Sequence, residues 1–354
     1  MFVVITVLAL GLVPGRVAAL TTTITAITFG LPVLIIATLW WNGWPFTALG
    51  RSAGGWARFA FLVISTLVLT AVGQLATGAL DVAGIFGVAG SYGIFPYAFV
   101  LGAGVFVAAL QLTFVTGRMP FTNLRPVAAG WAAIATAWIL GLAQYFFLLN
   151  WDDGPGRPPA PPLSGYGPVY ALDWPAILLS ICVIQMVFFV LLKGDPFVRI
   201  RSAWLRFIVV NVFSIAGGLL LHWGLQLLGL NGNIISAVAA AVIAAVILIE
   251  ILFSGWPFTG GTGAPAQIGR VALALTIAAV LYAMLVGLGS IGYPAAGAGV
   301  PPIELWVAGV CLNLIAAFSI VHVAVFDRWP LAGSEPETAG DEHRATRESS
   351  EVGS

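Results

Sequence analysis

Three ionisable side chains fall within long apolar runs of this chain: Glu250, His322 and His222. An ionised group near a bilayer centre costs about 3 kcal/mol or more, so such residues tend to face a bundle interior or a solute path. Glu250 lies seven residues before Pro257 and His322 eight before Pro330. If both prolines mark the same level of equivalent helices, the two side chains lie at nearly equal depth, well within one helical turn of about 5.4 Å. A carboxylate and an imidazole at one depth can relay a proton or hold a cationic solute. The plain alternative is that Glu250 snorkels to the interface and pairs with a loop arginine such as Arg270. His222 and His322 together suggest a haem, but counting residues to the helix ends separates them by on the order of 10 Å along the membrane normal. Bis-histidine ligation needs convergence on one iron. His222 is therefore read as a lone satisfied histidine, and no cofactor or metal is predicted.

The depth argument rests on a recurring tripeptide. It reads Trp44-Pro45-Phe46, Met119-Pro120-Phe121, Asp195-Pro196-Phe197 and Trp256-Pro257-Phe258, with a partial copy at Trp329-Pro330. Consecutive prolines are 75, 76, 61 and 73 residues apart, room each time for two membrane spans and a connection. The likeness continues beyond the tripeptide: Trp56 and Trp131 each lie eleven residues past their proline. In-register matches of this kind mark an internal repeat. Tryptophan favours the headgroup level and proline resists helix continuation, so architecture alone accounts for the motif.

Composition sets the class. Hydrophobic residues make up 60% of the 354, charged residues 8%, and mean hydropathy is +1.02, against about 25% charged in soluble domains. The formal net charge is zero, which gives no basis for nucleic-acid binding. Cys182 and Cys311 both sit in apolar runs, so no disulfide framework is indicated. Apolar runs long enough to cross about 30 Å of hydrocarbon cover 18–41, 57–80, 94–116, 127–149, 174–193, 205–230, 234–254, 269–289 and 305–326. Met1–Val13 completes the repeat as a short first span, giving ten helices with nine as the fallback. The expected fold is an all-α integral membrane bundle of five parallel two-helix repeats over 1–330, followed by a polar, disordered tail over 331–354.

Orientation follows from charge. Arg51, Arg58, Arg118, Arg125, Lys193, Arg199, Arg201, Arg206, Arg270 and Arg328 lie on the tripeptide side, while Arg16 and Arg157 lie opposite. The positive-inside rule then puts both termini in the cytoplasm. The single lysine and the Ala/Gly/Val richness suggest a GC-rich bacterial genome, hence a bacterial inner membrane.

Other polar residues have structural readings. Asp173 and Glu304 begin helices and are expected to cap them. Gln111, Gln144, Gln185, Asn211, Gln226 and Asn313 either hydrogen-bond between helices or line a polar path. Three functions follow, in order of preference. The first is translocation of a small solute, with Glu250 and His322 near the inner mouth and a proton as the coupling ion. The second is a non-catalytic accessory or scaffolding subunit with a membrane-protein partner. The third is a redox or enzymatic protein using an intramembrane histidine. The lipid bilayer is a partner in all three.

Overall fold

The computed structural model describes residues 16–78, 80–82, 96–151, 161, 163–258, 263–292 and 302–326. Met1–Val13, Asp152, Asp153, the partial copy at Trp329-Pro330 and the tail over 331–354 lie outside the described residues. Nine apolar helices are found there. They are α1 (Arg16–Ile35, continued as a wider π-helical turn at Ile36–Trp40), α2 (Arg51–Ala76), α3 (Tyr97–Val115), α4 (Pro126–Leu148) and α5 (Trp174–Leu191), then α6 (Ala203–Leu227), α7 (Gly232–Leu252), α8 (Ala264–Gly292) and α9 (Ile303–Val325). Eight of them are long and apolar enough to cross a membrane, and the well-defined part of the first, Thr25–Trp40, is shorter. The described chain is thus mostly helical and its helices apolar, as a multi-pass membrane protein requires. Only a two-residue parallel pair, β1 (Leu149–Asn150) with β2 (Val169–Tyr170), breaks the pattern among the described residues.

The helices sort into two layers by sequence parity. The odd helices α3, α5, α7 and α9 are largely enclosed, whereas α2, α4, α6 and α8 show apolar side chains outward. Ile64, Ile139, Leu220 and Ile268 are each more than 60% exposed, which suits a lipid-facing surface. α1 packs on α3, α3 on α5, α5 on α7, α7 on α9, and α9 returns to α1, closing a five-membered inner ring. Each even helix lies against the odd helix before it and also touches the last turn of the preceding ring member. Thus α4 reaches the end of α1, α6 the end of α3, α8 the end of α5, and α2 the end of α9.

Small residues make these contacts close. Without a hydrophobic drive between helices in lipid, association depends on packing and hydrogen bonds. Gly218 of α6 is packed directly on the Ile181 backbone of α5, and Gly141 of α4 on Val105 of α3. The alanine run of α7 (Ala237, Ala239, Ala240, Ala241, Ala244 and Ala245) is buried between its neighbours.

The described tripeptides share one backbone turn. Four residues before the proline, an amide bonds back five residues, from Trp41 to Ile36, Thr116 to Gln111, Leu192 to Val187 and Phe253 to Leu248. Phe326 repeats this bond to Val321 in the fifth position. Two residues before the proline, a second amide bonds back six residues, from Gly43, Arg118, Gly194 and Gly255. The X-Pro bond of each of the four described tripeptides is cis. The pair ahead of each tripeptide has positive φ: Asn42-Gly43, Gly117-Arg118, Lys193-Gly194 and Ser254-Gly255. A glycine in each pair is the physical requirement, because only glycine enters that region without a Cβ penalty.

Two expectations change in detail. α2 begins at Arg51 and α8 at Ala264, several residues before their apolar runs. Hydropathy detects only the hydrocarbon segment, while the helix continues into the zone where Trp56 and Arg58 sit. Asp173 occupies the N-cap of α5 without a side-chain cap bond, whereas Ser202 and Asn231 cap α6 and α7 through their side chains.

Candidate functional site: an axial cavity behind the turns

The inner ring encloses a cavity of about 400 Å³. Counting back from each proline shows how it is built. Six residues before the five prolines stand Leu39, Phe114, Val190, Ile251 and Ala324, and all five line the cavity. Ten residues before stand Ile35, Leu110, Met186, Ile247 and Ile320, which also all line it. The two rings are four residues apart, close to one helical turn, so they stack on the same face of each helix. The ring nearer the turns is half-buried throughout, and the deeper one is almost wholly buried. The cavity therefore approaches the surface at the turn end.

Among the described residues, Glu250 is the only charged one in this wall, and Thr38 is the other polar one. Both stand seven residues before their prolines, at the level of the wall residue Val323. Thr38 bonds its own helix, donating Oγ1 to the Leu34 carbonyl at 2.6 Å. Glu250 Oε2 lies 3.9 Å from Lys193 Nζ, with the Glu250 side chain 11% and that of Lys193 66% exposed. Glu250 Oε1 is buried with no hydrogen-bond partner. An ion pair this long with one exposed member contributes little, about 0–1 kcal/mol. One carboxylate oxygen thus stays available at the cavity wall.

The other two sequence candidates lie elsewhere. His322 is on α9, half-buried, one residue before Val323; it is not part of the cavity wall and makes no hydrogen bond or ion pair among the described residues. His222 is 2% exposed on α6, an outer helix packed on α5, and its Nδ1 has no hydrogen-bond partner. Glu250 and His322 sit on neighbouring ring helices, while His222 stands apart from both. Arg270 donates Nη2 to the Phe258 carbonyl at 2.8 Å, and it acts on Glu250 through its charge together with Lys193.

A second cavity of about 60 Å³ continues the axis toward the far end. Thr28, Ser236 and Asn313 bring polar groups to it. Leu31, Phe106 and Leu312 line both cavities, so they form the partition between them. Near the far ends of α3 and α4, Tyr97 packs on Trp151 with centroids 4.8 Å apart, and Tyr145 joins them at 6.3 Å.

Polar residues in the ring wall act as cross-links. Gln111 Nε2 donates to Asn211 Oδ1 at 2.8 Å, and Gln111 Oε1 accepts from Gln185 Nε2 at 2.7 Å and from Ser214 Oγ at 3.1 Å. This network joins α3, α5 and α6 and resolves those residues as interhelical hydrogen bonds. At the turn end, the wide last turns leave late carbonyls outside the helical ladder. Arg118 donates to the Leu39 carbonyl and Arg58 to that of Ala324, both six residues before their prolines.

Tripeptide spacing carries topology, and it does not by itself separate lining residues from packing ones. Stepping back six and ten residues from every proline meets an aliphatic or aromatic residue or Met each time, a pattern that a packed core would share. No protein-family model, no curated protein and no solved structure matches this chain, so the functional reading rests on this geometry.

Proposed function

We propose that the chain is five parallel two-helix repeats around one axis, forming a multi-pass membrane protein that translocates a small solute along that axis. The observation that carries the reading is the axial cavity, whose wall takes the residues six and ten positions before each of the five prolines and includes a carboxylate. The turn face, with most of the basic residues, is taken as cytoplasmic, in a bacterial inner membrane. Solute enters the larger cavity from that face. Leu31, Phe106 and Leu312 hold the resting state closed, since an apolar constriction excludes water without a covalent or charged barrier. Glu250, with one unpartnered oxygen, holds a proton or a cationic group during passage. His322, on the adjacent helix one position off that level and outside the cavity wall, is the second group proposed to share that proton.

The test uses purified protein in proteoliposomes and a panel of small solutes followed by uptake. Uptake of at least one panel member is expected, with Ile247→Trp blocking it by filling the cavity and Glu250→Gln abolishing it. Undiminished uptake through a folded Ile247→Trp protein contradicts the axial route.

A further inference from the structure

We infer that the larger axial cavity binds amphipathic organic cations, with an apolar body against the two rings and the positive head at Glu250. The assignment deepens the translocation reading and rests on it for the identity of the cargo. Three observations support it. The wall is apolar apart from Glu250 and Thr38, so a fully polar solute would lose hydration with nothing to replace it. The volume of about 400 Å³ falls within the range of small-molecule pockets, about 300–1,000 Å³. The carboxylate has one oxygen without a hydrogen bond, and its cationic neighbours are the exposed Lys193, 3.9 Å from the other oxygen, and Arg270.

Charge sign follows from the same geometry. An anion would face Glu250 at close range. The guanidinium that acts on Glu250, that of Arg270, also donates to the Phe258 carbonyl, and those of Arg118 and Arg58 are directed to the Leu39 and Ala324 carbonyls, where they complete helix ends. A cation finds a carboxylate in a low-dielectric wall, where attraction is stronger than in water.

Lys193 then acquires a role. It stands in the turn after α5, at positive φ, and its ammonium is mostly in solvent. Its contact with Glu250 keeps the carboxylate neutralised while the cavity is empty. An entering cation replaces it, and Lys193 returns to water at small cost because it is already two-thirds exposed. Lys193 is thus a built-in competitor for the site, and removing it should strengthen ligand binding.

The experiment is a fluorescence titration of the purified full chain in nanodiscs of phosphatidylcholine, with empty nanodiscs as the blank. Ethidium is the cationic probe and 8-anilinonaphthalene-1-sulfonate the anionic control. Ethidium should bind saturably and the anion should not. Glu250→Gln should weaken ethidium binding by at least about tenfold, since a desolvated charge pair loses one partner. Lys193→Gln should tighten it about threefold, in line with the small value of an exposed ion pair. Glu250→Asp keeps the charge and should retain most of the affinity, which separates loss of charge from loss of fold. Equal binding of both probes, an unchanged affinity in Glu250→Gln, or weaker binding in Lys193→Gln each overturns the assignment. Ethidium binding as described with no uptake into proteoliposomes would refute translocation and leave the binding site standing. Uptake that the Ile247→Trp plug blocks but that ignores solute charge and Glu250 would do the reverse.

Discussion

Replacing Phe106 with alanine should turn the closed axis into a leak. Phe106 is the largest of the three residues shared by the two cavities, and removing its ring joins a space of about 400 Å³ to one of about 60 Å³. The resulting passage runs from the half-buried ring at Leu39, Phe114, Val190, Ile251 and Ala324 to the polar groups of Thr28, Ser236 and Asn313. Apolar constrictions gate by excluding water, and widening one removes that barrier. Passive flux of small solutes through proteoliposomes should rise on the order of tenfold or more. The substitution should be tolerated better than a filled-core Phe→Ala change, which costs about 3–5 kcal/mol, because Phe106 already borders empty space on both sides. Phe147→Ala is the control: Phe147 is 77% exposed on α4 and its loss should leave flux unchanged. If Phe106→Ala folds and flux stays at the wild-type level, the partition lies elsewhere.

A large stability effect is expected at Gly218. A Cβ there would run into the Ile181 Cα and come within 2.7 Å of the Ile181 nitrogen. Backbone cannot move aside as a flexible side chain does, so α6 must separate from α5. That separation pulls on the Gln111, Gln185, Asn211 and Ser214 network, because two of its members are on α6 and one is on α5. Overpacking usually costs about 1–3 kcal/mol, and Gly218→Leu should reach about 3 kcal/mol or more because both packing and hydrogen bonds are disturbed. Gly224 is on the same helix with nothing near its would-be Cβ, so Gly224→Leu should stay within about 0.5 kcal/mol of wild type. Denaturant titration in mixed micelles compares the two. Equal stabilities would mean that α5 and α6 are not in the close contact described.

Much of the architecture was legible in the sequence for one physical reason. In a bilayer every backbone group must be satisfied internally, so a long apolar run has few options besides a helix. The spans read from hydropathy match the helices to within a few residues, except where α2 and α8 extend into the headgroup zone. The tripeptides marked where odd helices end because proline and positive-φ glycine stop a helix by steric means visible in one dimension. The first expected span, Met1–Val13, lies outside the described residues. The candidate site was legible only in part. Glu250 stood out as a charge in an apolar run, but nothing in the sequence around Leu39 or Met186 distinguishes a cavity wall from a packed core, since both call for the same side chains. Lys193 was invisible as its partner for a different reason. It is 57 positions away along the chain and meets Glu250 only because α5 and α7 are neighbours in the ring.

The most direct test of the axial route is cysteine accessibility in a background carrying Cys182→Ala and Cys311→Ala. Single cysteines at Leu39, Val190 and Ile251 sample the ring nearer the turns, and cysteines at Ile139 and Leu220 sample the outward faces of α4 and α6. A membrane-impermeant charged thiol reagent applied from the turn side should modify the first group readily and leave the second unmodified, and adding the reagent at Ile251→Cys should block solute uptake. Modification of Ile139→Cys and Leu220→Cys together with protection of the three ring positions would contradict a water-accessible axis.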